Sequence, residues 1–322
     1  MNQGGLRLVA HGFEKRAPRG RGALVWNVYR SFTLGQSVPT SALNHCVQLV
    51  MQQDRERYLC NLHAPKAARP GLFAIHAFNI ETAHVRNITT QEAAAMGRFG
   101  WWRSTLERAF DGKPPNHPVA EALSHAIARY SLTSRYLTQV LEARELDVRV
   151  QQPRTLDELR QYCERTSGSL ALLGLECAGL QPGCHLAEHA AAQAGIALGI
   201  ATLLRSTVIH ASQGCTYLPA EVTRRHNVKL SSMLQGEASP ELCDAVAEVA
   251  DEAVAHLLAA RSYCNDVPDD ARRILLSSVV AHHILQNMRR HGFSPFASGF
   301  GDPQSGLALQ FSLLSKRWIG MY

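Results

Sequence analysis

Apolar positions recur along this chain at the three- and four-residue spacing of amphipathic helices, and the alternation that marks strands is scarce. Residues 41–64 predict a first helix, stopped by Pro65, and residues 71–87 a second. Thr90 is placed to cap a third, which carries Trp101 and Trp102 and ends near Gly112. The proline-rich link from Lys113 to Pro118 opens a fourth, to Ser131, and Thr133 starts a fifth, to Leu146. Thr155-Leu-Asp-Glu158 has capping-box spacing and opens a helix that reaches Ala178. Residues 185–212 read as one long helix with almost no charge, apolar on every face, which belongs at the centre of a helical domain. Ser239-Pro240-Glu241 is a start signal, since serine caps and proline is pre-set for the first helical position. The helix after it puts Leu242, Val246, Val249, Ala253 and Leu257 on one face. Residues 269–291 continue with Ile274, Leu275, Val279 and Ile284. A loop rich in Gly, Pro and Ser (292–306) precedes a short apolar helix to Trp318.

Composition agrees with an all-α fold. Hydrophobic residues make up 46% of 322, enough for a sizeable core, while aromatics are only 7% and alanine and leucine dominate. No internal repeat appears, nor a linker long enough to divide residues 41–322 into two domains. No uncharged apolar run is long enough to predict a transmembrane helix.

Charge changes the picture at one end. The net charge is +6, yet residues 1–53 hold six basic residues and only Glu14 as an acid, leaving 27 basic against 26 acidic residues for the remainder. A near-neutral body without a long Lys/Arg run argues against direct sequence-specific nucleic-acid binding. An Arg-rich, acid-poor start without a long apolar region has the marks of a mitochondrial transit peptide rather than a secretory signal. Residues 1–40 are therefore expected to be a targeting arm, with a merely flexible basic tail as the alternative. The eight cysteines never form C-x-x-C and are expected to be reduced thiols. Asn87-Ile88-Thr89 fits a glycosylation triplet, which means little without secretion. Walker, Rossmann, metalloprotease and nucleophile-elbow patterns are absent from the sequence.

Two segments carry the most specific signal. One runs from Phe73 to Asn87 and contains Ala77-Phe-Asn-Ile-Glu81. The other runs from Gly199 through Leu204-Arg205-Ser206 to His210, and on to Gly214-Cys-Thr-Tyr-Leu-Pro219. Together with Tyr58 to Pro65, Asp147, Thr155 and Tyr162-Cys163, in that order, they resemble the squalene/phytoene synthase family over most of residues 54–290. The resemblance implies an isoprenoid (trans-prenyl diphosphate) synthase-type helical domain over residues 41–322, with 71–87 and 195–212 facing each other near its centre.

Enzymes of that family carry aspartates four residues apart on both helices, A-[FY]-C-R-x-x-D-D-I-V-D and N-I-L-R-D-V-x-x-D. Residues four apart share a helix face, so the two pairs form a clamp for magnesium and diphosphate. Laid on these motifs without gaps, the first pair falls on Ala83 and Asn87 and the second on Ser206 and His210. The degenerate first motif is thus Asn79, Glu81, Ala83, His84 and Asn87, and the degenerate second Arg205, Ser206 and His210. No catalytic residue, metal or cofactor is expected. Glu81 could stand in for a lost ligand, but one carboxylate cannot hold a metal cluster, and a structural role is favoured. For Arg205 a buried network is favoured over phosphate binding. His84 and His210 are expected to fill a shrunken cavity rather than bind zinc. A solvated basic face is expected for His282, His283, His291, Arg289 and Arg290. Of Trp101 and Trp102, adjacent on a helix, one is expected in the core and the other at the surface.

Ala77-Phe-Asn-Ile-Glu81, Trp101-Trp-Arg103 and His117-Pro-Val119 further resemble the family's non-enzymatic branch of mitochondrial complex I assembly factors. That likeness implies a mitochondrial protein, in the matrix or on the matrix face of the inner membrane. Its partners would be complex I subunits or assembly factors within a larger intermediate, with peripheral inner-membrane association. The competing readings are a scaffold in another mitochondrial assembly such as a ribosome precursor, an isoprenoid- or lipid-binding protein and, least favoured, an active prenyltransferase.

Overall fold

The computed structural model describes residues 40–88, 91–180, 183–303 and 306–322. The expected targeting arm, apart from Thr40, lies outside the described residues, as does the Thr90 cap. No strand occurs among the described residues; the chain is a succession of helices.

The first expected helix is two, α1 (Thr40–Gln53) and α2 (Arg55–His63). The break is local chemistry: the Asp54 side chain accepts a hydrogen bond from Arg57 N at 3.1 Å, capping α2 as α1 ends. Next come α3 (Arg69–Ile88), α4 (Glu92–Phe110), α5 (Pro118–Tyr130) and α6 (Ser134–Asp147). Trp102 is 3% exposed and Trp101 43%, as their adjacency requires. The helix expected over 155–178 is correctly started, since Thr155 Oγ1 accepts from Glu158 N at 3.1 Å. It is not continuous, however. α7 (Leu156–Cys163) widens into a π-helical turn (Glu164–Gly168) before α8 (Ser169–Cys177).

That bulge lies against α9 (His185–Arg205), the central helix. It presents Ala187, Ala190, Ala191, Ala194, Gly195, Ala197 and Ala201, all buried, so neighbouring backbones approach closely. A Cβ on Gly195 would lie 2.6 Å from Gly168 Cα, and one on Gly199 would lie 2.9 Å from Cys163 Cβ. The π turn is pressed directly onto α9 at a small-residue crossing, which periodicity along the sequence does not register. The segment expected as one helix over 185–212 also breaks, at Ser206, and resumes as α10 (Thr207–Ser212).

Two short helices, α11 (Ala220–Arg225) and α12 (Leu230–Leu234), lead to α13 (Pro240–Ser262). Ser239 Oγ caps α13 by accepting from Leu242 N at 3.2 Å, and all five expected core residues of α13 are buried. The expected helix 269–291 divides into α14 (Asp269–Ile274) and α15 (Ser277–Arg290), and α16 (Leu307–Trp318) closes the fold. α13, α15, the π turn and α8 pack around α9, while α1, α2, α5 and α8 surround α3. Tyr322 is buried with Ala190, Ala194, Ala260 and Leu275, its hydroxyl donating to Ala260 O at 2.9 Å. All eight cysteines are free thiols.

Candidate functional site

The two segments singled out in the sequence meet at Tyr217. On α3, Asn79, Ala83 and Arg86 follow at helical spacing and share a face. That face is fastened to α6. Arg144 Nη2 donates to Asn79 Oδ1 at 2.6 Å, and Arg86 Nη1 donates to Asp147 Oδ2 at 2.8 Å. Arg86 also donates to the carbonyls of Asp147 and Val150, at 3.0 and 2.9 Å, and to the Tyr217 hydroxyl at 3.0 Å. Tyr217 in turn donates to Asp147 Oδ2 at 2.5 Å. The Tyr217 ring also meets His210, edge to face, with ring centroids 4.6 Å apart.

The electrostatics follow from one partly buried guanidinium. Burial alone would lower the Arg86 pKa, but the Asp147 carboxylate and Tyr217 hydroxyl hold it above the usual range. His210 is pushed down to about 4, by burial and then by the Arg86 charge, so the ring is neutral; its buried Nδ1 has no hydrogen-bond partner among the described residues. Burial, followed by the neighbouring Tyr162 and Asp147, raises the Tyr217 phenol well above its ordinary value. At this place the fold has built an internally neutralised Arg–Asp–Tyr unit.

Other expected site residues are dispersed. Glu81 is five positions from Arg86, on another side of α3; its charge acts on Cys46, whose thiol burial pushes up to about 12, and on His117. Arg205 is engaged within the fold: its Nη1 donates to Glu56 Oε1 at 2.6 Å, tying α9 to α2. Ser206 sits at the break between α9 and α10, where its N–H bonds back to Thr202 O and Leu203 O. Ser206 and His210 therefore do not lie on one uninterrupted helix. His84 and Ala83 are half-buried, and the side chain of Asn87 lies outside the described residues. His282 and His283 are not on a solvated face: both are half-buried, and His283 Nε2 lies 2.9 Å from Ser312 Oγ.

Leu72 and His76 of α3 and Gly195 and Leu198 of α9 are among the residues that line a cavity of about 40 Å³. His76, also bonded to Asn61, is held neutral there, with burial pushing its pKa down to about 3. Small-molecule sites usually offer about 300 Å³ or more, so this space suits a few waters rather than a prenyl chain.

The donor set around Arg86 does not fit a magnesium cluster. Magnesium takes carboxylate, phosphate and water oxygens. Ala83 supplies no donor, Ser206 and His210 supply a hydroxyl and an imidazole, and the adjoining guanidinium repels a cation. Among the described residues no group of three or more His, Cys, Asp or Glu side chains is placed to hold a metal ion.

A squalene/phytoene synthase family model matches residues 50–308. The chain belongs to that family. It is 32% identical, over 99% of its own length and 97% of the relative's, to "NADH dehydrogenase (ubiquinone) complex I, assembly factor 6" of Bos taurus. The protein of the same name from Mus musculus is 33% identical over 89% of this chain and 85% of its own. Among solved structures, a dehydrosqualene synthase in complex with a ligand superposes with a TM-score of 0.76 at 19% identity, covering 91% of this chain and 98% of that one. The last likeness is one of fold, and it identifies the helical architecture as that of the isoprenoid synthases.

The Arg86 unit is the feature that sequence reading missed. Asp147 and Tyr217 belong to the family resemblance, but Arg86 is 61 positions from Asp147 and 131 from Tyr217. The available signal was an arginine near the end of a weakly charged helix, three residues after Ala83.

Proposed function

We propose that this family member has no prenyl-transfer activity and acts in mitochondria as an assembly factor in the biogenesis of respiratory complex I. The observation that carries the reading is near-full-length similarity to relatives named complex I assembly factor 6. The site chemistry supports it. The positions that the resemblance assigns to the two aspartate pairs hold Ala83, Asn87, Ser206 and His210. A guanidinium already matched by Asp147 occupies the adjoining space. A phosphate approaching Arg86 would have to displace an internal carboxylate and a tyrosine, both prepositioned. The small cavity weighs against the lipid-carrier reading in the same way.

On this reading residues 1–40 direct import and are followed by a single domain over 41–322 that works at the matrix side of the inner membrane. The test is affinity purification of the tagged full chain from mitochondria, together with complementation of a deletion strain. Complex I subunits or assembly intermediates should copurify, and complex I levels should return. Copurification of ribosomal proteins in their place, or prenyl-diphosphate turnover by the purified protein, would overturn the proposal.

A further inference from the structure

The cavity of about 40 Å³ is lined from α2, α3, α8, α9, α14, α15 and the π turn. It lies inside the fold: of residues 71–80 only His76 is not buried, and His76 lines this space. The polar part of the lining is Arg57, Asn61, His76, Ser167, Arg273 and Ser277. Among the described residues no carboxylate lines it. Leu72, Leu170, Leu198 and Ile274 supply an apolar wall beside those groups.

The polar groups are donors. Asn61 Nδ2 has only hydrogens to give, so at 3.1 Å it donates to His76 Nδ1. Nδ1 is then unprotonated, and the neutral ring carries its proton on Nε2. Each guanidinium is fixed by an aspartate that does not line the cavity. Arg57 Nη1 lies 2.8 Å from Asp54 Oδ2, and Arg273 Nη2 lies 2.8 Å from Asp269 Oδ2. An arginine has five N–H donors, so both keep donors beyond those bonds.

The field inside is positive. Asp269 is 54% exposed and Arg273 34%, so water screens the acid more than the cation. At His76 the charge of Arg57, second only to burial in lowering the pKa, outweighs that of Asp54.

We propose that this cavity binds a small carboxylate anion of about the size of acetate. The carboxylate accepts from Arg57, Arg273 and His76 Nε2, and the methyl end lies against the leucines and Ile274. The space has room for about three waters, which matches a ligand of about four non-hydrogen atoms. A carboxylate has one polar and one apolar end, as the lining does, and its two coplanar oxygens suit a guanidinium fork. Inorganic phosphate presents oxygens on every side, and those turned to the apolar wall would be left unpaired. A cation finds no carboxylate here. The inference does not rest on the assembly-factor reading, and either can fail alone.

The test is calorimetric titration and saturation-transfer NMR of the purified full chain with sodium acetate, at constant ionic strength. Acetate should bind at one saturable site with a Kd between about 0.1 and 10 mM. Acetamide, of the same shape without the charge, should bind at least about tenfold more weakly, as should hexanoate, which is too long, and inorganic phosphate. Arg273→Gln should weaken acetate about tenfold and Ser277→Ala a few-fold. Ala171→Leu places a larger side chain in the lining and should abolish binding. Circular dichroism and thermal melts identify the variants that keep the native fold, and Ser277→Ala, the mildest change, decides if Ala171→Leu does not. The proposal is overturned if acetate does not bind or binds no better than acetamide. It is overturned equally if phosphate or hexanoate binds as well as acetate, or if natively folded lining variants bind acetate like the parent.

Discussion

The face of α3 around Arg86 and the outer face of α16 invert the usual distribution of groups. The first is an inward site where charge is gathered and cancelled: Arg86, Asp147 and Tyr217 use one another as partners, and Arg205 uses Glu56. The second is an outward surface where Leu307, Phe311, Leu314 and Trp318 lie exposed on one side of the helix. A prenyl synthase needs the reverse, a charged interior left open for metal and diphosphate. The contrast teaches that a fold can be kept while its inner charges are engaged with one another, because function resides in sites rather than in architecture.

Acid should expose the contrast most strongly. His210 and His76 have folded pKa values near 4 and 3, below the unfolded value of 6.5, so the native state prefers both rings neutral. Their stabilising contribution is complete above about pH 6.5 and is lost as pH falls toward 4 and then 3, because the unfolded chain binds the protons first. Between about pH 7 and pH 5 the two together should cost about 3–4 kcal/mol of unfolding free energy, measured by urea titration. His210→Gln should remove roughly half of that dependence. An unchanged slope would mean that the ring is not held neutral in the native state.

Breaking the inner pair should come next. Arg86→Met or Asp147→Ala leaves a partly buried charge without its partner and should cost about 2–3 kcal/mol, somewhat less than a fully buried pair because Arg86 is partly solvated. The double variant should lose less than the sum, since no orphan charge is left. Additive losses would show that the two groups are not coupled. Phe311→Ser and Trp318→Ser, by contrast, should leave stability within about 0.5 kcal/mol, since both side chains are largely exposed. A large loss of stability would place those side chains in contacts within the protein and weaken the comparison. The smallest effect expected is none: calorimetric titration with Mg²⁺ and inorganic diphosphate should be flat for the parent and for Ala83→Asp, since Arg86 stays in place. Micromolar, Mg²⁺-dependent heat would revive the enzymatic reading.

Legibility in the sequence followed the range of the interaction. Caps at Thr155 and Ser239, the buried face of α13 and the division between Trp101 and Trp102 depend on neighbours within a few residues, and the sequence displayed them. Positions 79, 81, 83, 84, 87, 205, 206 and 210 were named from the family resemblance, by laying its two motifs on the chain. Helix continuity was overestimated wherever a distant element intervened. The π turn and the end of α7 answer to Gly195 and Gly199, and the break at Ser206 divides a segment whose composition is helical throughout.

The sequence by itself determined the helical class and the ordered residues that carry the family resemblance, because periodicity, composition and residue identity are properties of the chain before it folds. Only the tertiary structure decided that Arg86 meets Asp147 and Tyr217, since a salt link across 61 positions has no local signature. It also decided which side of α16 faces outward. Leu309 and Leu313 are as apolar as Leu307, Phe311 and Leu314, and a helix that is apolar on both sides holds no internal instruction about which to bury. That choice was made by the residues it packs against.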